Sequence, residues 1–119
     1  MAKILVVDDE IGIRELLSDI LTDEGYAVET AENAETARHR IGAEEFDLIL
    51  LDIWMPDTDG VSLLKELKVR NLLHCPVLMM SGHATIETAV EATKFGALAC
   101  LEKPISMQKL LESVRHGLE

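Results

Sequence analysis

Apolar and polar positions along this chain fall into two alternating rhythms. Lys3-Ile-Leu-Val-Val7 is a β-branched apolar run that stops at Asp8-Asp9-Glu10. From Ile11 the period changes: Ile13, Leu16, Leu17, Ile20 and Leu21 recur at the 3.6-residue spacing of a helix with one buried stripe, and Gly25 closes it. Tyr26-Ala-Val-Glu-Thr30 predicts a second strand, and Asn33 an N-cap for a helix from Ala34 to about Gly42. A third strand over residues 46–51 ends abruptly in Asp52. A Pro- and Gly-containing loop then leads past Gly60 into the helical run Val61-Ser-Leu-Leu-Lys-Glu-Leu-Lys.

The second half repeats the rhythm. Pro76-Val-Leu-Met-Met80 is the fourth strand, with Ser81-Gly82-His83 as its turn. Residues 84–95 place Ile86, Ala89, Val90 and Thr93 on a helical period that Gly96 terminates. Leu98-Ala-Cys-Leu101 is the fifth strand, followed by Glu102-Lys103-Pro104. The last helix runs from about Ser106, its N-cap, to His116, with Met107, Leu110, Leu111 and Val114 facing inward. Strand and helix alternate five times with short loops, which predicts an α/β, doubly wound, five-stranded parallel sheet with helices on both faces. Right-handed crossovers leave few topologies open.

Size and composition narrow this further. A chain of 119 residues is expected to be one domain, residues 1–119, with no second domain in it. No apolar run approaches the roughly 20 residues of a membrane span. The short apolar start runs into acids instead of towards a small-residue cleavage site, so the cytoplasm is the expected compartment. Cys75 and Cys100 show no metal-ligand spacing and are expected to be buried reduced thiols. A formal charge of −11 argues against direct nucleic-acid binding, because phosphates demand Lys and Arg.

Candidate chemistry collects at one place. Asp8 and Asp9 follow the first strand, Asp52 the third, Ser81 the fourth and Lys103 the fifth, and in a parallel sheet all these ends share one edge. Three carboxylates close together repel one another unless a cation sits among them. Hard oxygen ligands without His or Cys favour Mg²⁺, whose open coordination shell leaves room for phosphate oxygens. A lysine and a hydroxyl supply further contacts to such oxygens. Asp is itself a nucleophile for phosphoryl groups.

With these residues in this order, the chain resembles the receiver domain of bacterial two-component response regulators over essentially its whole length. The residues that carry the resemblance are Asp8-Asp9, Asp52 in L-L-D-I-W-M-P, Gly60, Ser81 after V-L-M-M, and Lys103-Pro104. The stretches D-I-W-M-P-D-T-D-G and S-G-H-A-T resemble receivers of sigma-54-dependent transcription activators of the nitrogen-regulation type. The resemblance implies a flavodoxin-like sheet of order 2-1-3-4-5 and a phosphorelay receiver that switches conformation, and it argues against a turnover enzyme. It implies that Asp52 accepts the phosphoryl group from a sensor histidine kinase. Asp8, Asp9, Asp52 and the Trp54 carbonyl would hold Mg²⁺, Asp8 through a water. Ser81, Lys103 and the Trp54 and Gly82 N–H groups would bind the phosphoryl oxygens, and Lys103-Pro104 would be cis.

Ser81 and Cys100 would form the switch, and here the chain departs from the pattern. Cys100 stands where most receivers carry an aromatic residue, and a small thiol cannot act as the same rotor, so a weaker or differently routed response is expected. The expected output surface, which would also serve a homodimer, is the fourth helix, fifth strand and fifth helix. Trp54, beside the phosphoryl group, is expected to shield it from water. Asp57 and Asp59 read as loop and turn acids, and His83 as a solvent-facing loop residue.

Two rivals stand beside this reading. A haloacid-dehalogenase-like phosphatase needs a second Asp two residues after the nucleophile, where this chain has Trp54. A phosphorylation-independent interaction module does not need all five site residues, yet all five are present.

Overall fold

The computed structural model describes residues 1–82 and 86–119. Strands β1 (Lys3–Val7), β2 (Ala27–Ala31), β3 (Leu48–Asp52), β4 (Val77–Ser81) and β5 (Ala97–Glu102) pair in parallel as one sheet of order β2-β1-β3-β4-β5. Between and after them run α1 (Ile11–Asp23), α2 (Ala34–Ala43), α3 (Gly60–Val69), α4 (Ile86–Lys94) and α5 (Met107–Leu118). The predicted doubly wound topology is the observed one.

The central strands are apolar at nearly every position because both their faces are covered. Leu5, Val7, Ile49, Leu51, Val77 and Met79 face one layer, with Ala34 and Ala37 of α2, Leu63, Leu64 and Leu67 of α3 and Ala92 of α4. Ile4, Val6, Leu48, Leu50, Leu78 and Met80 face the other, with Leu17 and Leu21 of α1 and Leu110 and Val114 of α5. Strand residues alternate between layers as the pleat requires. Completely burying one such aliphatic side chain is worth about 1.5–3 kcal/mol, so this two-layer core carries the fold.

Local signals explain where the helices begin and end. Asn33 accepts the Thr36 N–H at 2.8 Å, and Ser106 accepts the Lys109 N–H at 3.1 Å. Gly25 and Gly96 take φ of +92° and +102° just after α1 and α4, a region that costs glycine little.

Several expectations need correcting. The third strand starts at Leu48, not at residue 46, and β2 is one residue later than predicted. Asp52 and Ser81 do not follow their strands but are the last residues in them, since the ladder pairs Asp52 with Met80 and Ser81 with Glu102. Backbone pairing, not apolarity, decides where a strand stops. Leu16 is exposed because it lies about 100° around α1 from Leu17, past the edge of the buried stripe. Met107 is 60% exposed instead of facing inward. A first-turn side chain points back beyond the helix end, and burial in α5 begins at Leu110. The period over residues 84–95 predicts a helix without assigning its buried face; α4 meets the sheet through the small Ala92, and Ile86 and Val90 face outward.

The two cysteines are free, as expected, but only half-buried. Burial pushes both thiols up, Cys75 to about 11, with Asp47 adding to it there and Glu102 at Cys100. Among the described residues no helix is long and apolar enough to cross a membrane.

Candidate functional site

Every singled-out polar residue lies at the C-terminal edge of the sheet, where parallel strands deliver their ends together. Asp8 follows β1 and is fully buried. Its backbone N–H donates to the Ala31 carbonyl at 3.1 Å, and Arg14 Nη1 donates to its carbonyl at 2.8 Å, so the turn into α1 is fixed. Its Oδ1 accepts the Glu10 N–H at 2.9 Å and its Oδ2 accepts Lys103 Nζ at 2.8 Å. Asp52, ending β3, is 3% exposed, and its Oδ1 lies 3.4 Å from the same ammonium. Lys103 is itself held by its N–H, which donates to the Ser81 carbonyl at 2.7 Å, and the Lys103–Pro104 peptide is cis.

One ammonium therefore serves two buried carboxylates that arrive on different strands. The charge balance is left negative, and Asp52 shows it. Burial, and then the Asp8 carboxylate, push its pKa up to about 6; Lys103 and the Trp54 N–H oppose this without cancelling it. For Lys103, burial alone would lower the pKa, but Asp8 and Asp52 outweigh it and raise the ammonium above its ordinary range. A second cation would relieve this imbalance.

The donor set fits a hard divalent ion. Among the described residues, Asp8, Asp9 and Glu10 have carboxylate oxygens within 4.8 Å of one another, Asp9 and Glu10 exposed and Asp8 buried. Asp52 is not part of that cluster and meets Asp8 through Lys103. Oxygen donors, one open side and a raised carboxylate pKa suit Mg²⁺.

Ser81 is fully buried at the end of β4, and Gly82 follows it exposed. Trp54 is 56% exposed, with its N–H turned to Asp52. No acid stands at position 54, where a phosphatase of the rival kind needs one. Gly60 permits the loop after Asp52 to double back: a Cβ there would fall 2.1 Å from the Asp52 carbonyl oxygen. Cys100 lies lower in β5, opposite Met79, half-buried against the layer of α2, α3 and α4. His83 falls outside the described residues.

Asp57 and Asp59 are more than loop acids. Asp59 is the N-cap of α3, its Oδ1 accepting the Ser62 N–H at 2.9 Å. A D-G-x-S spacing made that legible. Asp57 accepts the Ala34 and Glu35 N–H groups, both at 3.1 Å, and these lie 23 and 22 residues back in the chain. No local pattern points to that pair. A separate groove of about 550 Å³, lined by Ile41, Phe46, Leu72, His74 and Cys75 among others, holds none of the site residues.

The model of the response regulator receiver domain family matches residues 4–115. The nitrogen assimilation regulatory protein NtrX of Azorhizobium caulinodans is 45% identical over 118 residues, 98% of this chain and 26% of that protein. The transcriptional regulatory protein ZraR of Klebsiella oxytoca is 44% identical over 115 residues, 97% of this chain and 26% of that one. The chain thus spans about a quarter of the length of the curated relatives it matches. Among solved structures, the beryllofluoride-activated NtrC4 receiver domain dimer superposes with a TM-score of 0.91 at 41% identity, covering 99% of this chain and 97% of that one. The sheet order, the helices on both faces and a family match across nearly the whole sequence agree, and the chain belongs to the response regulator receiver domain family.

Proposed function

We propose that this domain accepts a phosphoryl group on Asp52 from the phosphohistidine of a sensor kinase, in a Mg²⁺-dependent reaction. The observation that carries it is the buried Asp52 carboxylate sharing one lysine with Asp8. In the transfer, an Asp52 oxygen forms the new bond to phosphorus as the bond to the imidazole nitrogen breaks, and the electron pair leaves with the imidazole. Lys103 turns from the carboxylates to a phosphoryl oxygen, and the Ser81 hydroxyl donates to another. The Trp54 and Gly82 N–H groups complete the cradle. Asp9, Asp52 and the Trp54 carbonyl would hold the Mg²⁺, with Asp8 supporting it, and the ion would supply neutralisation of the phosphoryl charge. Positioning and charge neutralisation do most of the work in such a transfer.

Output follows by population shift, bounded by the differential affinity of the two conformers. The exposed Ile86, Val90, Leu98 and Met107 support a homodimer or effector surface on α4, β5 and α5, and the activated NtrC4 receiver is a dimer. Regulation of transcription is the expected outcome, in keeping with the names of the relatives. Cys100 in place of an aromatic residue makes the response of that surface weak or differently routed.

Incubation with Mg²⁺ and acetyl phosphate tests the reading. An acid-stable, hydroxylamine-labile adduct is expected on the wild type and not on Asp52→Asn. An unmodified wild type, or a modified Asp52→Asn, rules the reading out.

A further inference from the structure

The loop between β3 and α3 is pinned in two places. At its neck, the Gly60 N–H donates to the Ile53 carbonyl at 2.6 Å. At its tip, Asp57 reaches across to α2: Oδ1 accepts from Ala34, Oδ2 accepts from Glu35, and Oδ1 also accepts the Thr58 N–H at 2.9 Å. Arg38, one turn further along α2, donates Nη2 to Thr58 Oγ1 at 3.2 Å. The same guanidinium forks onto Glu66 of α3, at 2.6 Å from Nε and 3.0 Å from Nη2. Trp54 stands between neck and tip.

The first four N–H groups of α2 all find partners this way. Thr36 and Ala37 use Asn33, the helix's own N-cap, while Ala34 and Glu35 use a residue of the loop that follows Asp52. Of the two donors that Asp57 holds, Glu35 is open to water, whereas Ala34 is fully buried. A carboxylate committed to them fixes the loop tip against a helix, and through the short segment from Asp57 back to Ile53 it fixes the Trp54 backbone.

We propose that Asp57 is a positioning residue for phosphoryl transfer, holding the loop so that the Trp54 backbone faces the acceptor carboxylate. This rests on the function proposed above. The charge state of Asp57 suits that role. Burial pushes its pKa up, but the N–H groups of Ala34, Glu35 and Thr58 outweigh that and leave the carboxyl below its ordinary range, ionised at neutral pH. Displacements of about 1 Å at a transfer site reduce rates up to a hundredfold. Asp57 is exposed, so truncating it removes bonds without opening a cavity.

The test compares the wild type with Asp57→Ala, Asp57→Asn and Asn33→Ala. Asn33→Ala removes another α2 cap without touching the loop. Three readouts are taken on each: the phosphorylation rate with acetyl phosphate at saturating Mg²⁺, the Mg²⁺ Kd from the fluorescence of Trp54, and the urea midpoint. Both Ala variants are expected to lower the midpoint. Only Asp57→Ala should slow phosphorylation at least fivefold, with Asp57→Asn recovering part of the loss through its amide oxygen. A smaller slowing, or an equal one in Asn33→Ala, overturns the positioning role and leaves Asp57 a helix cap. A wild type that takes up no phosphoryl group overturns the function reading first, and this proposal with it.

Discussion

Neutralising Asp52 should make the metal-free protein more stable at neutral pH. The carboxyl is almost fully buried, and its pKa rises from an ordinary 3.8 to about 6. Each tenfold change in protonation is worth about 1.4 kcal/mol, so the rise corresponds to about 3 kcal/mol. The sign follows from the direction. A group whose folded pKa is raised gives stability that is complete below pH 3.8 and lost as pH rises through about 6. Urea unfolding from about pH 4 to about pH 7.5, in chelator, should show Asp52→Asn and wild type nearly equal at the acid end. At the neutral end the variant should be more stable by as much as about 3 kcal/mol. Subtraction cancels Glu44, Asp57, Asp59 and Glu66, whose pKa values are lowered and whose contributions have the opposite slope. Saturating Mg²⁺ at about 100 times its Kd should return about 2.7 kcal/mol to the wild type. Parallel pH curves for the two proteins would refute the burial and repulsion argument.

Three further outcomes follow from the same geometry. Lys103→Met leaves two buried carboxylates facing each other without their shared ammonium, and should cost about 3 kcal/mol or more at about pH 7.5 and less at about pH 5; equal losses at both values count against the bridge. Gly60→Ala drives a methyl group into the Asp52 carbonyl, so its urea midpoint should fall by the equivalent of more than about 2 kcal/mol. Trp54→Ala should shorten the phosphoryl lifetime by admitting water, and an unchanged dephosphorylation rate sinks the shielding idea.

The sequence by itself determined the architecture. Apolar runs of five or so residues alternating with 3.6-residue periods admit few arrangements, and Asn33 and Ser106 mark helix starts through bonds to their own next turn. The site edge was equally legible, because parallel strands must deliver Asp8, Asp52, Ser81 and Lys103 to one side. Tertiary structure decided what depends on distant neighbours. Strand ends shifted because pairing with Met80 and Glu102 extends β3 and β4 through polar residues. Ile86 and Val90 face solvent because α4 meets the sheet through Ala92, Met107 because it precedes the buried part of α5, and Leu16 because it lies past the edge of the buried stripe. The Asp8–Lys103–Asp52 bridge joins residues up to 95 positions apart, and the hold of Asp57 on α2 spans 23. A helix cap is written within a turn of itself, whereas a bond between two loops exists only once the core has brought them together.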